Sequence, residues 1–220
     1  MSIDPFAPDT LGLRAQMTIA AAGLRFSAVG YLRDLGASPR WLAQACAEGA
    51  LGRARVSYSR DGDLFDFAQG DGETAIILPV TEDGLVTDLV AFDPRTPDAW
   101  ALRGGDGLML GWDVWHANAH APDTGGGWRE DPAVRLFANP LQWIRGGGEG
   151  LCLLAWNVTT MGMLRALGPE RTIVCEGDHF ATVVAERMAE RCGLPAVSVA
   201  PVEMVLPASM AANMQLEAAE

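Results

Sequence analysis

Arg171-Thr-Ile-Val-Cys175, then Glu176-Gly177-Asp178, then a helix-patterned His179 to Cys192, a stop at Gly193 and a second apolar run Ala196-Val-Ser-Val-Ala200 is the stretch that decides the fold class. The two runs are short, rich in β-branched residues and bounded by glycine, as buried strands are. Between them Phe180, Val183, Val184 and Met188 recur at helical spacing on one face. Strand, helix and strand within about 30 residues is a βαβ unit, which belongs to a right-handed parallel arrangement.

Outward from this unit, Leu151-Cys-Leu-Leu-Ala-Trp156 reads as another buried strand, Met161 to Leu167 as a short helix, and Asn139-Pro140-Leu-Gln-Trp-Ile144 as a capped helical turn. Near the other end, Leu13 to Leu35 predicts one or two helices. Ser38-Pro39 to Gly49 predicts a third, with a serine cap, proline in the first turn and a glycine stop. Two hairpins follow: Arg55 to Ser59 with Leu64 to Phe67 around Asp61-Gly62-Asp63, and Thr74 to Val80 with Leu85 to Phe92 around Glu82-Asp83-Gly84. From Asp93 to Gly150 glycine, proline, tryptophan and aspartate predict loops carrying short elements. The expected fold is α+β: N-terminal helices and an antiparallel β-meander, then a small α/β segment. The expected division is 1–68, helical and hairpin, and 69–220, mixed sheet.

The 220 residues carry 16 basic and 28 acidic side chains, a net charge of −12, and every basic one is arginine. Without lysine the chain has no Schiff-base amine, lysine general base or phosphate-loop lysine. The acidic balance argues against nucleic-acid binding over the whole surface and leaves room for a local arginine patch. No apolar run has the roughly 20 residues of a spanning helix, and residues 1–10 lack a secretory pattern, so a cytoplasmic protein without a membrane partner is expected. Cys46, Cys152, Cys175 and Cys192 form no Cys-x-x-Cys pair and read as buried free thiols.

Two places offer chemistry. Glu176 and Asp178, beside His179, lie at the carboxyl end of the strand before His179, where open α/β sheets put their sites; adjacent carboxylates there suit magnesium. The alternative reading is Asp178 as a helix N-cap and Glu176 as a solvated turn residue. His116 and His120 stand four apart, with Asp123 close by and His179 as a further candidate. On a helix that spacing would serve a metal-dependent hydrolase, but Asn118, Pro122 and the nearby glycines favour a loop. Trp112, Trp115, Trp128 and Trp143 would either stack nucleic-acid bases or plug loops onto the core, and the second is the commoner use.

Residues Thr172 to Val199 resemble the first half of a Toprim domain, as found in primases and topoisomerases: apolar strand, Glu-Gly, acidic turn, a helix ending in Gly-Leu-Pro, second strand. Ile76 to Val80, Asp83-Gly84-Leu-Val86 to Phe92 and Leu110-Gly111 are similar to the segment preceding that domain in phage- and plasmid-type DNA primases. The resemblance implies that Glu176 matches the catalytic glutamate, which works with magnesium held by a later Asp-x-Asp. Ala200-Pro-Val-Glu-Met204 holds no Asp-x-Asp. The expectation is therefore a divergent, inactive or accessory primase-like protein of DNA metabolism or a mobile element, with nucleic acid or a replication protein as partner. The rival is a non-enzymatic acidic interaction module.

Overall fold

The computed structural model describes residues 10–119, 133–168, 171–192, 199–200 and 204–205. Three helices come first: α1 (Thr10–Ala22), α2 (Phe26–Asp34) and α3 (Pro39–Glu48). The last forms as its sequence predicts. The Ser38 hydroxyl accepts the Trp41 N–H at 3.4 Å, Pro39 sits in the first turn, and Gly49 closes the helix at φ 68°. That left-handed conformation costs glycine nothing and most other residues a clash.

Sheet A contains β1 (Gly52–Tyr58), β2 (Phe65–Phe67), β3 (Glu73–Glu82), β4 (Leu85–Phe92) and β5 (Trp100–Leu102), all antiparallel. Both predicted hairpins are present, the second turning on Asp83 and Gly84 at φ 50° and 77°, the signs a tight hairpin turn requires. The strand order is β2-β1-β3-β4-β5, so β3 joins the free edge of β1 instead of following β2. Position 68/69 thus falls inside one sheet, between strands that share a core.

Sheet B contains β6 (Met109–Leu110), β7 (Ala133–Phe137), β8 (Leu151–Leu153), β9 (Thr172–Cys175), β10 (Val199–Ala200) and β11 (Met204–Val205), in the order β10-β11-β9-β7-β8-β6. Its middle three strands, β9, β7 and β8, are parallel; β11 and β6 flank them antiparallel. The expected strand after the last helix therefore reaches the sheet differently from a simple βαβ unit. Val199–Ala200 pairs with β11, which occupies the position beside β9.

Four further helices complete the described fold: α4 (Trp112–Ala119), α5 (Pro140–Arg145), α6 (Val158–Ala166) and α7 (Asp178–Cys192). Met17 and Ala20 of α1 cover one face of sheet A against Val56, Ile77 and Leu89. On its other face Leu78, Val90 and Phe92 meet Leu32 and Leu42 of α2 and α3 and, from the second sheet and α5, Phe137, Cys152 and Ile144. Sheets A and B thus share one core. The far face of sheet B is covered by Trp115 of α4, Met161 and Leu164 of α6, and Val184 of α7. Fully burying one such Leu, Ile or Phe side chain contributes roughly 1.5–3 kcal/mol, which is why these faces dictate the layering.

The segment around His116 corrects the loop expectation, because it is helical. Gly111 at φ +86° turns the chain after β6, and Trp115 then anchors the helix on the core. The Trp115 indole N–H donates to the Met163 carbonyl at 2.8 Å, and the Asn118 amide donates to the Val114 carbonyl one turn back at 2.7 Å. Asn118, which spoke for a loop, is satisfied within the helix. His120, Asp123 and Trp128 lie outside the described residues.

Candidate functional site

The carboxyl ends of β7, β8 and β9 open onto one end of sheet B. After β9 the chain passes through Glu176 and Gly177, the latter at φ +89°, and enters α7 at Asp178. Asp178 is the first helical residue, not a cap preceding the helix, and the Ala181 N–H donates to the Gly177 carbonyl at 3.1 Å. Its charge in the first turn complements the positive end of the helix dipole. Asp178 and His179 are both exposed.

Glu176 is engaged. Arg135, the outward-facing residue of β7, donates from Nη2 to Glu176 Oε1 at 2.9 Å, while its guanidinium carbon lies 5.0 Å from the centre of the Phe137 ring. The parallel register that pairs Arg135 with Val174 and Leu136 with Cys175 brings the two residues together. The pair is half-exposed, 47% for the arginine and 43% for the glutamate. Magnesium keeps several waters and takes one or two protein carboxylates. Here Glu176 faces a guanidinium, and among the described residues no three His, Cys, Asp or Glu side chains come together as metal ligands. The Arg135 guanidinium thus holds the Glu176 oxygen that the primase resemblance would give to magnesium.

Cys175, directly before Glu176, is fully buried, and burial pushes its thiol up to about 12, away from the thiolate form. Burial raises the Cys152 thiol on β8 as well. His116 lies on α4, its ring edge-on to Trp115 with 6.4 Å between centroids. Two of the described tryptophans tie turns and loops to the fold. Trp112 donates to Asp83 Oδ1 at 3.0 Å and Trp143 to the Gly150 carbonyl at 3.0 Å, and Trp41 and Trp143 meet edge to face.

Two features emerge only in three dimensions. A cleft of about 600 Å³ lies beside the end of β8, lined by Asp61 and Asp63 of the β1–β2 turn, Asp98, Trp100 and Leu154-Ala155. Asn139 caps α5 through its side-chain oxygen and donates from Nδ2 to Asp98 Oδ1 at 2.7 Å. The cleft is acidic, which suits a cationic group more than a phosphate. The second feature is Asp88, fully buried in β4, whose carboxylate accepts the N–H groups of Leu89, Gly104, Asp106 and Gly107 at 2.7 to 2.9 Å. A charged residue within the apolar run Leu85 to Phe92 was its only signal in the sequence.

Comparisons with protein-family models, with curated proteins and with solved structures find no match to this chain.

Proposed function

We propose that this chain is a Toprim-like accessory protein of DNA metabolism that does not itself catalyse phosphoryl transfer. The observation carrying this reading is the junction after β9. A glutamate at the carboxyl end of a central parallel strand, a left-handed glycine and a helix start repeat the layout that the resemblance implies. Arg135 neutralises that glutamate, where a catalytic site would present it to magnesium. The partner is then nucleic acid or a replication protein held at a local surface. The uneven charge favours a second reading, an acidic module that binds a basic protein, because residues 61–220 carry 24 acidic side chains against nine arginines.

Three measurements test this. Template-directed primer synthesis and DNA nicking with magnesium should both be absent in the wild type and in Glu176→Gln. The melting temperature should shift little on that substitution, since an exposed ion pair contributes about 0–1 kcal/mol. Magnesium-dependent transfer or cleavage that Glu176→Gln abolishes would overturn the non-catalytic reading. Fluorescein-labelled single-stranded DNA should bind at low salt and weaken at moderate salt. Absence of binding at low salt would leave the interaction module.

A further inference from the structure

The charge of the chain is divided. Residues 10–60 carry seven arginines against two acids, Asp34 and Glu48, in a protein of net charge −12. This arginine-rich part forms α1 to α3 and β1, and it contributes to a groove of about 400 Å³ between α2, strands β1 and β3 of sheet A and the Asp93-Pro94-Arg95 turn. Such a volume lies within the roughly 300–1,000 Å³ of small-molecule sites.

Alternation along the strands and helical spacing bring the lining together. On β1, Gly52, Ala54 and Val56 face α1, so Arg53 emerges on the opposite face, where its register partner is Ile76 of β3. Ser27 and Tyr31, four apart on α2, face the same space, and Thr74 and Arg95 complete it. Gly23 makes the placement possible. The turn between α1 and α2 seats on the Arg53 carbonyl, and a Cβ at Gly23 would collide with that oxygen.

The groove thus offers two guanidinium groups and three hydroxyls. Arg53 is half-buried and forms no ion pair among the described residues. Arg95 is oriented by Asp93, which accepts from its backbone N–H, Nε and Nη2 at 2.7 to 3.1 Å. The Asp93 carboxylate is thereby engaged within the groove's own ion pair. Guanidinium forks match phosphate oxygens, and the Tyr31 ring, 43% exposed, supplies a flat surface for a base.

We propose that this groove binds a phosphorylated ligand of nucleotide size, phosphate on Arg53 and Arg95 and base against Tyr31. The site is independent of Glu176 and of the Toprim resemblance. The shared chemistry is a nucleotide unit, either free or within a single strand.

The test uses the full chain at low salt with three probes: ATP, inorganic phosphate and a fluorescein-labelled oligothymidylate. ATP should bind more tightly than phosphate, and Arg53→Gln should weaken ATP about tenfold or more, the loss of one charged hydrogen-bonding partner. Arg14→Gln removes the same charge from α1, on the other face of sheet A, and should change binding less than about twofold. Should Arg53→Gln fail to fold, Arg95→Gln and Tyr31→Ala at exposed positions replace it, and unchanged ATP binding in both would overturn the site. Equal losses from Arg53→Gln and Arg14→Gln would also overturn it, since binding would then be diffuse. If the oligothymidylate displaces ATP and is itself weakened by Arg53→Gln, the occupant is a unit of a strand; if only ATP responds, it is a free nucleotide. Oligothymidylate binding that ignores Arg53, with no ATP binding, would sink the groove and leave the DNA-metabolism reading standing.

Discussion

Asp88 shows how one residue can govern a loop. Its buried carboxylate gathers four backbone N–H groups, three of them from Gly104 to Gly107, with acceptor oxygens for every one. An amide cannot do this, because its NH₂ group would confront N–H donors. Hydrogen bonds to a charged group contribute about 1.5–3 kcal/mol each, and stranded buried donors cost a similar amount. Asp88→Asn should therefore lower the unfolding free energy by about 3 kcal/mol or more, measured by urea denaturation at neutral pH. A loss below about 1 kcal/mol would mean that water satisfies those amides. The same loop read from the sequence, Gly104-Gly-Asp-Gly107, is only punctuation. Its partner lies 16 to 19 residues away, and no local pattern connects them.

At the scale of elements, caps separate what was legible from what was not. Asn139-Pro140 announces α5, and the Asn139 side chain accepts the Gln142 N–H at 2.9 Å. The start of α6 is a capping box: Asn157 accepts the Thr160 N–H at 3.0 Å, and the Thr160 hydroxyl accepts the Asn157 N–H at 3.1 Å. The apolar pattern alone starts this helix at Met161, whereas the box starts it at Val158. Asn157→Ala should cost about 1 kcal/mol, read as a lower urea midpoint at unchanged slope. An unchanged midpoint would show that packing alone holds the first turn. The α4 helix was hidden for the converse reason. Its sequence is poor in helix signals, and what stabilises it is the Trp115 indole, anchored on a carbonyl 48 residues away.

For the whole molecule, two buried thiols carry a pH dependence; among the described cysteines Cys46 is exposed while Cys152 and Cys175 are buried. Cys152 on β8 and Cys175 on β9, the parallel strands on either side of β7, point into the two cores on opposite faces of sheet B, and burial raises both above their ordinary value of 9.0, Cys175 to about 12. In the unfolded chain the thiols lose their protons near pH 9, while in the native state they keep them. Stability is thus fully present below pH 9 and falls as pH rises toward the folded values, by up to about 1.4 kcal/mol per pH unit for each thiol. Urea midpoints compared between about pH 8 and about pH 10, one pH unit either side of the ordinary thiol value, should fall steeply for the wild type and less steeply for Cys152→Ala/Cys175→Ala. Parallel curves would remove the thiols from the account.

What the sequence determined by itself is local: the capped helices, the two hairpins and the apolar runs that become β8, β9 and the face of α7. Periodicity and capping act within a few residues, so they can be read from a chain. Tertiary structure alone decided that β3 pairs with β1, that β11 lies against β9, and that Arg135 meets Glu176. It also decided that Arg53, Arg95 and Tyr31 face one groove. Those outcomes depend on which apolar faces bury one another across long loops, and a strand edge or a carboxylate accepts any partner that this packing brings to it.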